Sequence, residues 1–258
     1  MTRVRLPFDW RGFAVPVCLL IAAELAIVLS GYNGASVARP SDIAGGAVEA
    51  LLDGSMLKAT RETLISAGAG LLIGGGIGLV MGVLLGLFPV MYWLFEVPLE
   101  AIRPIPSVAL IPIVLLIFGL GHWMEISLVA KTSLWPMFFL THAAVRGVKP
   151  RLLEVAKLLR MGLVERVRKI VLPAAAPGIF VGFRLSMGAA MIVAVTVEIA
   201  ANPLGLGYAM MEAQERLRPD LAFAYLFWVG LVGWGINAGI LALQRRLFRV
   251  PAQGAAGP

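Results

Sequence analysis

The side chains best suited to covalent, redox or metal chemistry are few in this chain and far apart. There is one cysteine, Cys18, inside an apolar run, and there are two histidines, His122 and His142. They supply neither an internal disulfide nor a metal cluster nor a redox pair. Gly70, Gly74, Gly78, Gly82 and Gly86 recur every fourth residue, but no Gly-Lys-Ser/Thr follows them, so they are not a phosphate-binding loop. On one helical stripe they would instead let a second helix come close. The remaining chemistry is electrostatic. Glu24, Lys131, Arg184 and Glu198 fall within apolar stretches, where an ionisable group is a functional candidate by default. Arg103 and Pro106 in "IRPIPS", together with Gly205 and Gly207 in "PLGLGYAM", join Lys131 and Glu198 as candidates for lining a solute pathway.

One block has the opposite character. "LEVAKLLRMGLVERVRKIVLP", Leu153 to Pro173, holds seven charges in 21 residues. Each charge at mid-bilayer costs about 2.5–3.5 kcal/mol on insertion scales, so the block stays outside the membrane. Its apolar residues are nevertheless helically spaced. Leu152, Val155, Ala156 and Leu159 form one stripe, and Leu163, Val167, Ile170 and Val171 a second, offset at Gly162. The spacing predicts two short amphipathic helices around a glycine corner, closed by Pro173. Such a pair either lies on anionic lipid or docks a partner.

These elements must be carried by a membrane scaffold. The 258 residues are 59% hydrophobic and 14% charged, with a mean hydropathy of +0.88, against about 25% charged in soluble domains. Apolar runs near 20 residues predict an all-α membrane protein of about six spans: 14–30, 62–87, 108–120, 124–143, 178–201 and 222–243. The first, with its basic flank, also resembles a secretory signal peptide, but its length favours a retained helix. "VPLEAIRPIPS" reads as an interfacial bend. With the N-terminus inside, 15 basic residues fall on the cytoplasmic side and five outside. That asymmetry puts both termini and the charged block in the cytoplasm. Domain limits follow: a cytoplasmic N-terminus at 1–13, a transmembrane domain at 14–246 that includes the charged cytoplasmic region at 146–173, and a disordered cytoplasmic tail at 247–258. The net charge of +7 belongs to this topology and not to nucleic-acid binding.

The charged block resembles the EAA signature of ABC-importer permeases: Glu-Ala-Ala, a glycine, then Ile-x-Leu-Pro. Glu154, Val155, Ala156, Ile170, Leu172 and Pro173 stand at its spacing, while Arg160 occupies the place of the glycine and Gly162 lies two residues on. "IRPIPSVALIPIVLLIFGLG", "LPAAAPGIFVGFRLSMGAA" and "VEIAANPLGLGYAM" are similar to segments of permeases for nitrate, taurine and aliphatic sulfonates, and the resemblance covers about Leu57 to Arg246. Glu125, in "GHWMEIS", stands where such relatives usually have lysine.

The resemblance implies a type I ABC importer permease fold in a bacterial inner membrane, with Glu154, Ala156, Arg160, Gly162, Ile170, Leu172 and Pro173 coupling it to ATP hydrolysis. It implies two ATP-binding subunits that hold the ATP and magnesium, a second permease copy, and a periplasmic or lipid-anchored solute-binding protein. The chain itself would be no enzyme and bind no cofactor. An ATP-independent secondary transporter is the rival. It calls for internal repeats, which the two halves lack, and leaves the charged block without a use.

Overall fold

The computed structural model describes residues 11–30 and 37–247; most of the expected N-terminal segment 1–13, and the tail beyond Leu247, lie outside the described residues. Among the described residues every regular element is helical. The α-helices are α1 (Arg11–Ser30), α2 (Pro40–Leu52), α3 (Ser55–Leu87), α4 (Pro89–Ile102), α5 (Ile111–Phe118), α6 (His122–Arg146), α7 (Pro150–Leu158), α8 (Leu163–Arg166), α9 (Leu172–Ala200), α10 (Gly205–Glu215) and α11 (Pro219–Leu247).

Three runs are long and apolar enough to cross a bilayer: Ser55–Leu87, Leu163–Glu215 and Pro219–Leu247. With 33 residues, α3 is about 50 Å long at 1.5 Å per residue, more than the roughly 30 Å of hydrocarbon it must cross. It begins at Ser55, earlier than the hydropathy suggests, because Gly54 at φ +79° breaks the chain between α2 and α3. The centre of the bundle is α6, 25 residues long, between α3 and α9. Its neighbours change in step: Gly70 faces Val129, Gly74 Ala130, Gly78 Leu134, Gly82 Thr141 and Gly86 Val145, so α3 and α6 run parallel. The return helix α9 is antiparallel, with Gly178 against Ala144, Gly182 against Leu140 and Ser186 Oγ donating to the Ser133 carbonyl at 2.8 Å. Ala67, Leu71, Met124, Leu128, Val129, Ala190, Ala194 and Val197 form the main core where the three meet.

The third expected span is split. Residues 108–118, a 3₁₀ turn and α5, are too short to cross alone; α4 supplies the other part, with a break at 103–107. Pro104 and Pro106 each remove a backbone donor, and two polar side chains of α6 meet the break. Lys131 Nζ donates to the Ile105 carbonyl, and Thr132 Oγ1 donates to Ser107 Oγ at 2.6 Å. The bend therefore lies alongside α6 and not at an interface. Irregular backbone persists at membrane depth only where protein satisfies it, and α6 does so here.

Two other expectations change. Pro173 does not close the second helix of the charged block: α8 passes through a π turn at Val167–Val171 straight into α9. A π turn shifts the hydrogen-bond register by one residue, and the proline, which has no backbone N–H to donate, follows at once as the second residue of α9. The fifth helix thus starts at Leu172 and not near Gly178, which places Arg184 in mid-helix. Its Nε donates to Asn237 Oδ1 on α11 at 3.1 Å. Glu24, in α1, is held by α2: it accepts from the Ser41 amide at 3.1 Å and the Ser41 hydroxyl at 2.8 Å.

Candidate functional site

The charged block folds into a corner fixed to the bundle at one end. Val145 and Val148, within and just after the end of α6, pack with Val171 and Ala175 at the α8–α9 junction, and Leu153 of α7 rests on this cluster. Ala156 is fully buried. The rest of the expected inner stripe is not: Leu152, Val155 and Leu159 are exposed, as are Leu158 (83%) and Val164 (79%). One narrow line of α7 therefore holds the corner on the bundle, and an apolar surface is left outside, rimmed by Lys157, Arg160, Arg168 and Lys169. Lys169 pairs with Glu165 at 2.7 Å on the exposed side. Glu154 is exposed and sits beyond the first turn, since α7 begins at Pro150, so the helix dipole adds little there. Ile170 and Leu172 are half-buried and Pro173 is exposed.

The corner turns at Arg160. Its φ is +52°, while Gly162 is extended at φ −64°, ψ 162° and opens α8. The Met161 amide donates to the Ala156 carbonyl and the Arg160 amide to the Lys157 carbonyl, both at 3.0 Å. These two bonds define a Schellman cap with Arg160 in the left-handed position that usually takes glycine. The bend has stayed at the family's glycine position and has not moved to Gly162. A left-handed non-glycine residue costs about 1–2 kcal/mol. Arg160→Gly is therefore expected to raise the melting temperature by about 2–4 °C. Gly162→Ala, whose new Cβ meets nothing within 4 Å, should leave it within about 2 °C. The reverse ranking in thermal unfolding would put the turn at Gly162.

The pathway candidates divide into two groups. Arg103, Pro106 and Lys131 meet at the α4–α5 break, with the Arg103 guanidinium 4.6 Å above the Phe139 ring. Glu198, Gly205 and Gly207 meet at the opposite end of the bundle from the charged corner, where α9 turns into α10. Gly205 has φ +85°, and a Cβ there would overlap the Glu198 carboxyl. Glu198 Oε2 accepts from the Gly207 amide at 2.8 Å, and Thr63 Oγ1 on α3 accepts from the Leu206 amide at 2.9 Å. Glu198 is 1% exposed and sealed within the chain.

Sequence reasoning missed the rest of this second group. Asn202 bridges α9 to α6: its Nδ2 donates to Glu125 Oε2 at 2.7 Å and its Oδ1 accepts from the Gly121 amide at 3.1 Å. Nearby, His122 Nε2 lies 2.9 Å from Glu62 and its Nδ1 2.8 Å from Ser66 Oγ. The only signal was the acidic residue at position 125. At the same end, Arg218 binds Glu49 of α2 at 2.8 Å and Asp220 at 2.6 Å. Its guanidinium holds the Glu49 carboxyl below the usual carboxylate range, first through the hydrogen bond and then through charge.

Long apolar helices enclosing buried polar groups, with a charged helical corner anchored outside them, are the build of a membrane transport subunit. The chain belongs to the family of binding-protein-dependent transport system inner membrane components, which matches residues 74–249. The putative aliphatic sulfonates transport permease protein of Bacillus subtilis is 28% identical over 246 residues, 95% of this chain and 89% of that one. The taurine transport system permease protein of Escherichia coli is 28% identical over 165 residues, 64% of this chain and 60% of its own. Among solved structures, an inward-facing form of the MetNI methionine ABC transporter shares the fold at TM-score 0.66 and 19% identity, covering 75% of this chain and 96% of that one. The fold is that of a type I importer permease, and the protein is the membrane permease subunit of an ABC importer.

Proposed function

We propose that this permease imports a small anion of the sulfonate or taurine class and is driven by ATP hydrolysed on separate subunits. The observation that carries the coupling is the corner at 150–171, anchored by Ala156 and Leu153 and presenting Leu158, Leu159 and Val164 outward. Two ATP-binding subunits receive this corner on two identical permease copies; nucleotide and magnesium stay with those subunits. Closure of the subunits draws the corners together. Because α8 runs unbroken into α9 and Val171 and Ala175 seat it on α6, that movement reaches the bundle as a rigid displacement.

Both termini and the corner lie in the cytoplasm. With Arg103 now placed beside α6, 14 basic residues lie on the corner's side and five on the other, which still supports this orientation. The opposite end, built from α2, α10 and the first turn of α11, receives solute from a periplasmic or lipid-anchored binding protein.

The preference for an anion rests on the names of the relatives and on Lys131 and Arg103 at the break, cations at membrane depth near the groups that interrupt α4 and α5. The test is ATP hydrolysis by the permease reconstituted with its ATP-binding and solute-binding partners. Taurine or a short alkanesulfonate should stimulate it several-fold, and neutral or cationic solutes of similar size should not. Stimulation by a cation or a neutral solute alone would overturn the anion assignment.

A further inference from the structure

Arg184 is an exposed cation at the middle of the bundle. On α9, Gly182 lies against Leu140 and Ser186 Oγ donates to the Ser133 carbonyl, which sets Arg184 level with the centre of α6. It stands twelve residues beyond Leu172, where α9 begins, about 18 Å along the helix at 1.5 Å per residue. The hydrocarbon layer is about 30 Å thick, so this depth is about 15 Å from either headgroup layer. No acidic side chain of the described residues lies within ion-pairing distance of Arg184. Its hydrogen-bond partner is neutral: Nε donates to Asn237 Oδ1 of α11 at 3.1 Å. A cation held at that depth calls for a water-filled cavity or an anion beside it.

Arg184 and Asn237 line a cleft of about 450 Å³ between α9 and α11. From this pair the cleft runs away from the coupling corner along a mostly apolar wall, past Gly188 and Gly233 to Ile192 and Val229. The far end of α11 is fastened, since Ala224 and Tyr225 are buried and Trp228 Nε1 donates to Thr60 Oγ1 of α3 at 2.8 Å. Two glycines keep the cleft open. A Cβ on Gly188 or on Gly233 would meet nothing within 4 Å. A cleft of this size, apolar apart from a few convergent polar groups, has the form of a small-molecule site.

We infer that this cleft is a subsite for the transported solute, an alkanesulfonate whose head sits on Arg184 and Asn237 and whose tail lies along Gly188, Ile192 and Gly233. The inference rests on the anion-import reading above and names the residues that receive the anion. A guanidinium fork suits two oxygens of one sulfonate. Asn237 accepts through Oδ1 and so offers the donors of its Nδ2 group to the same head. A lipid phosphate does not fit this place. It stays in the headgroup layer, about 15 Å away, beyond the reach of a snorkelling side chain.

The apolar wall sets a length preference. Each methylene seated on it tightens binding by about 4-fold, so a six-carbon sulfonate gains on a two-carbon one. A small inorganic anion would use the head position alone and leave the wall bare.

The decisive experiment measures equilibrium binding of labelled ethanesulfonate and hexanesulfonate to the permease, assembled with its ATP-binding subunits in nanodiscs, against empty nanodiscs. ATP-driven uptake of ethanesulfonate delivered by the binding protein is measured beside it. The wild type should bind both, hexanesulfonate at least about 10-fold more tightly. Arg184→Gln should weaken both by at least about 10-fold. Gly233→Leu, whose side chain enters open space, should weaken hexanesulfonate by at least about 10-fold and ethanesulfonate by less than about 3-fold. That comparison does not depend on Arg184→Gln folding. A wild type that takes up ethanesulfonate yet binds neither compound would overturn the subsite and leave the import reading standing. A wild type that takes up no sulfonate would overturn the import reading, and the subsite with it. Unchanged binding in Arg184→Gln would also overturn the subsite. So would equal losses for the two sulfonates in Gly233→Leu, which would assign the cleft to packing against a second permease copy.

Discussion

Gly74→Ala is expected to lower the melting temperature of the purified permease by about 10 °C, and Gly74→Leu to leave no folded protein. The cause is the contact of α3 with α6. A Cβ on Gly74 would overlap the Ala130 carbonyl, which is helix backbone and cannot turn aside. On either side of it, Gly70 would place its Cβ 2.5 Å from Val129 Cγ1, and Gly82 2.6 Å from Thr141 Cβ. Making room at one position therefore separates the helices at all of them. Overpacking of this kind costs about 3 kcal/mol, and about 2–4 °C accompanies each kcal/mol in a chain of this size. Gly76 is the control on the same helix. Its Cβ would meet nothing within 4 Å, and the gain in helix propensity is about 1 kcal/mol, so Gly76→Ala should melt slightly higher. Equal melting of the two alanine variants would mean that the glycine stripe does not set the helix spacing.

The second large effect concerns transport without loss of the fold. Leu158, Leu159 and Val164 are 83%, 65% and 79% exposed, so replacing all three with serine should change stability little, within about 0.5 kcal/mol per site. At a docked interface, central apolar anchors are worth about 2 kcal/mol or more apiece. The triple variant should therefore bind the ATP-binding subunit at least about 100-fold more weakly and lose ATP-driven uptake in proportion. Ala156 would be a poor choice for this test, because it is buried and any larger side chain there would unseat α7 itself.

Much of this could be read from the residues. The four-residue glycine spacing identified a helix contact, and all five glycines face α6. Charge density kept the block off the bilayer, and its periodicity gave two helical pieces. The misreadings share a cause. Leu152, Val155 and Leu159 form a helical stripe, but a stripe does not say whether its partner is this chain or another protein, and here most of it stays uncovered. Pro173 looked terminal because proline usually ends a helix from inside, yet after a π turn it begins one. The break at 103–107 was visible in Pro104 and Pro106; its depth was not, because that depends on Lys131 and Thr132, 26 and 25 residues away from their partners Ile105 and Ser107. Least legible was the Glu125–Asn202 bond. Its partners are 77 residues apart, and no local pattern records a pairing that only the antiparallel course of α6 and α9 brings about.

The central claim is that the exposed corner at 150–171 transmits the work of a partner's ATPase. It is tested most directly in proteoliposomes holding the permease and its ATP-binding subunits, with binding protein and labelled sulfonate outside and ATP enclosed. Wild-type vesicles should accumulate solute only with ATP. Those carrying Leu158→Ser, Leu159→Ser and Val164→Ser should contain folded permease with the ATPase unattached and solute uptake reduced at least about 100-fold. Undiminished ATP-driven uptake by that variant would contradict the account, as would solute accumulation by the wild-type permease without ATP.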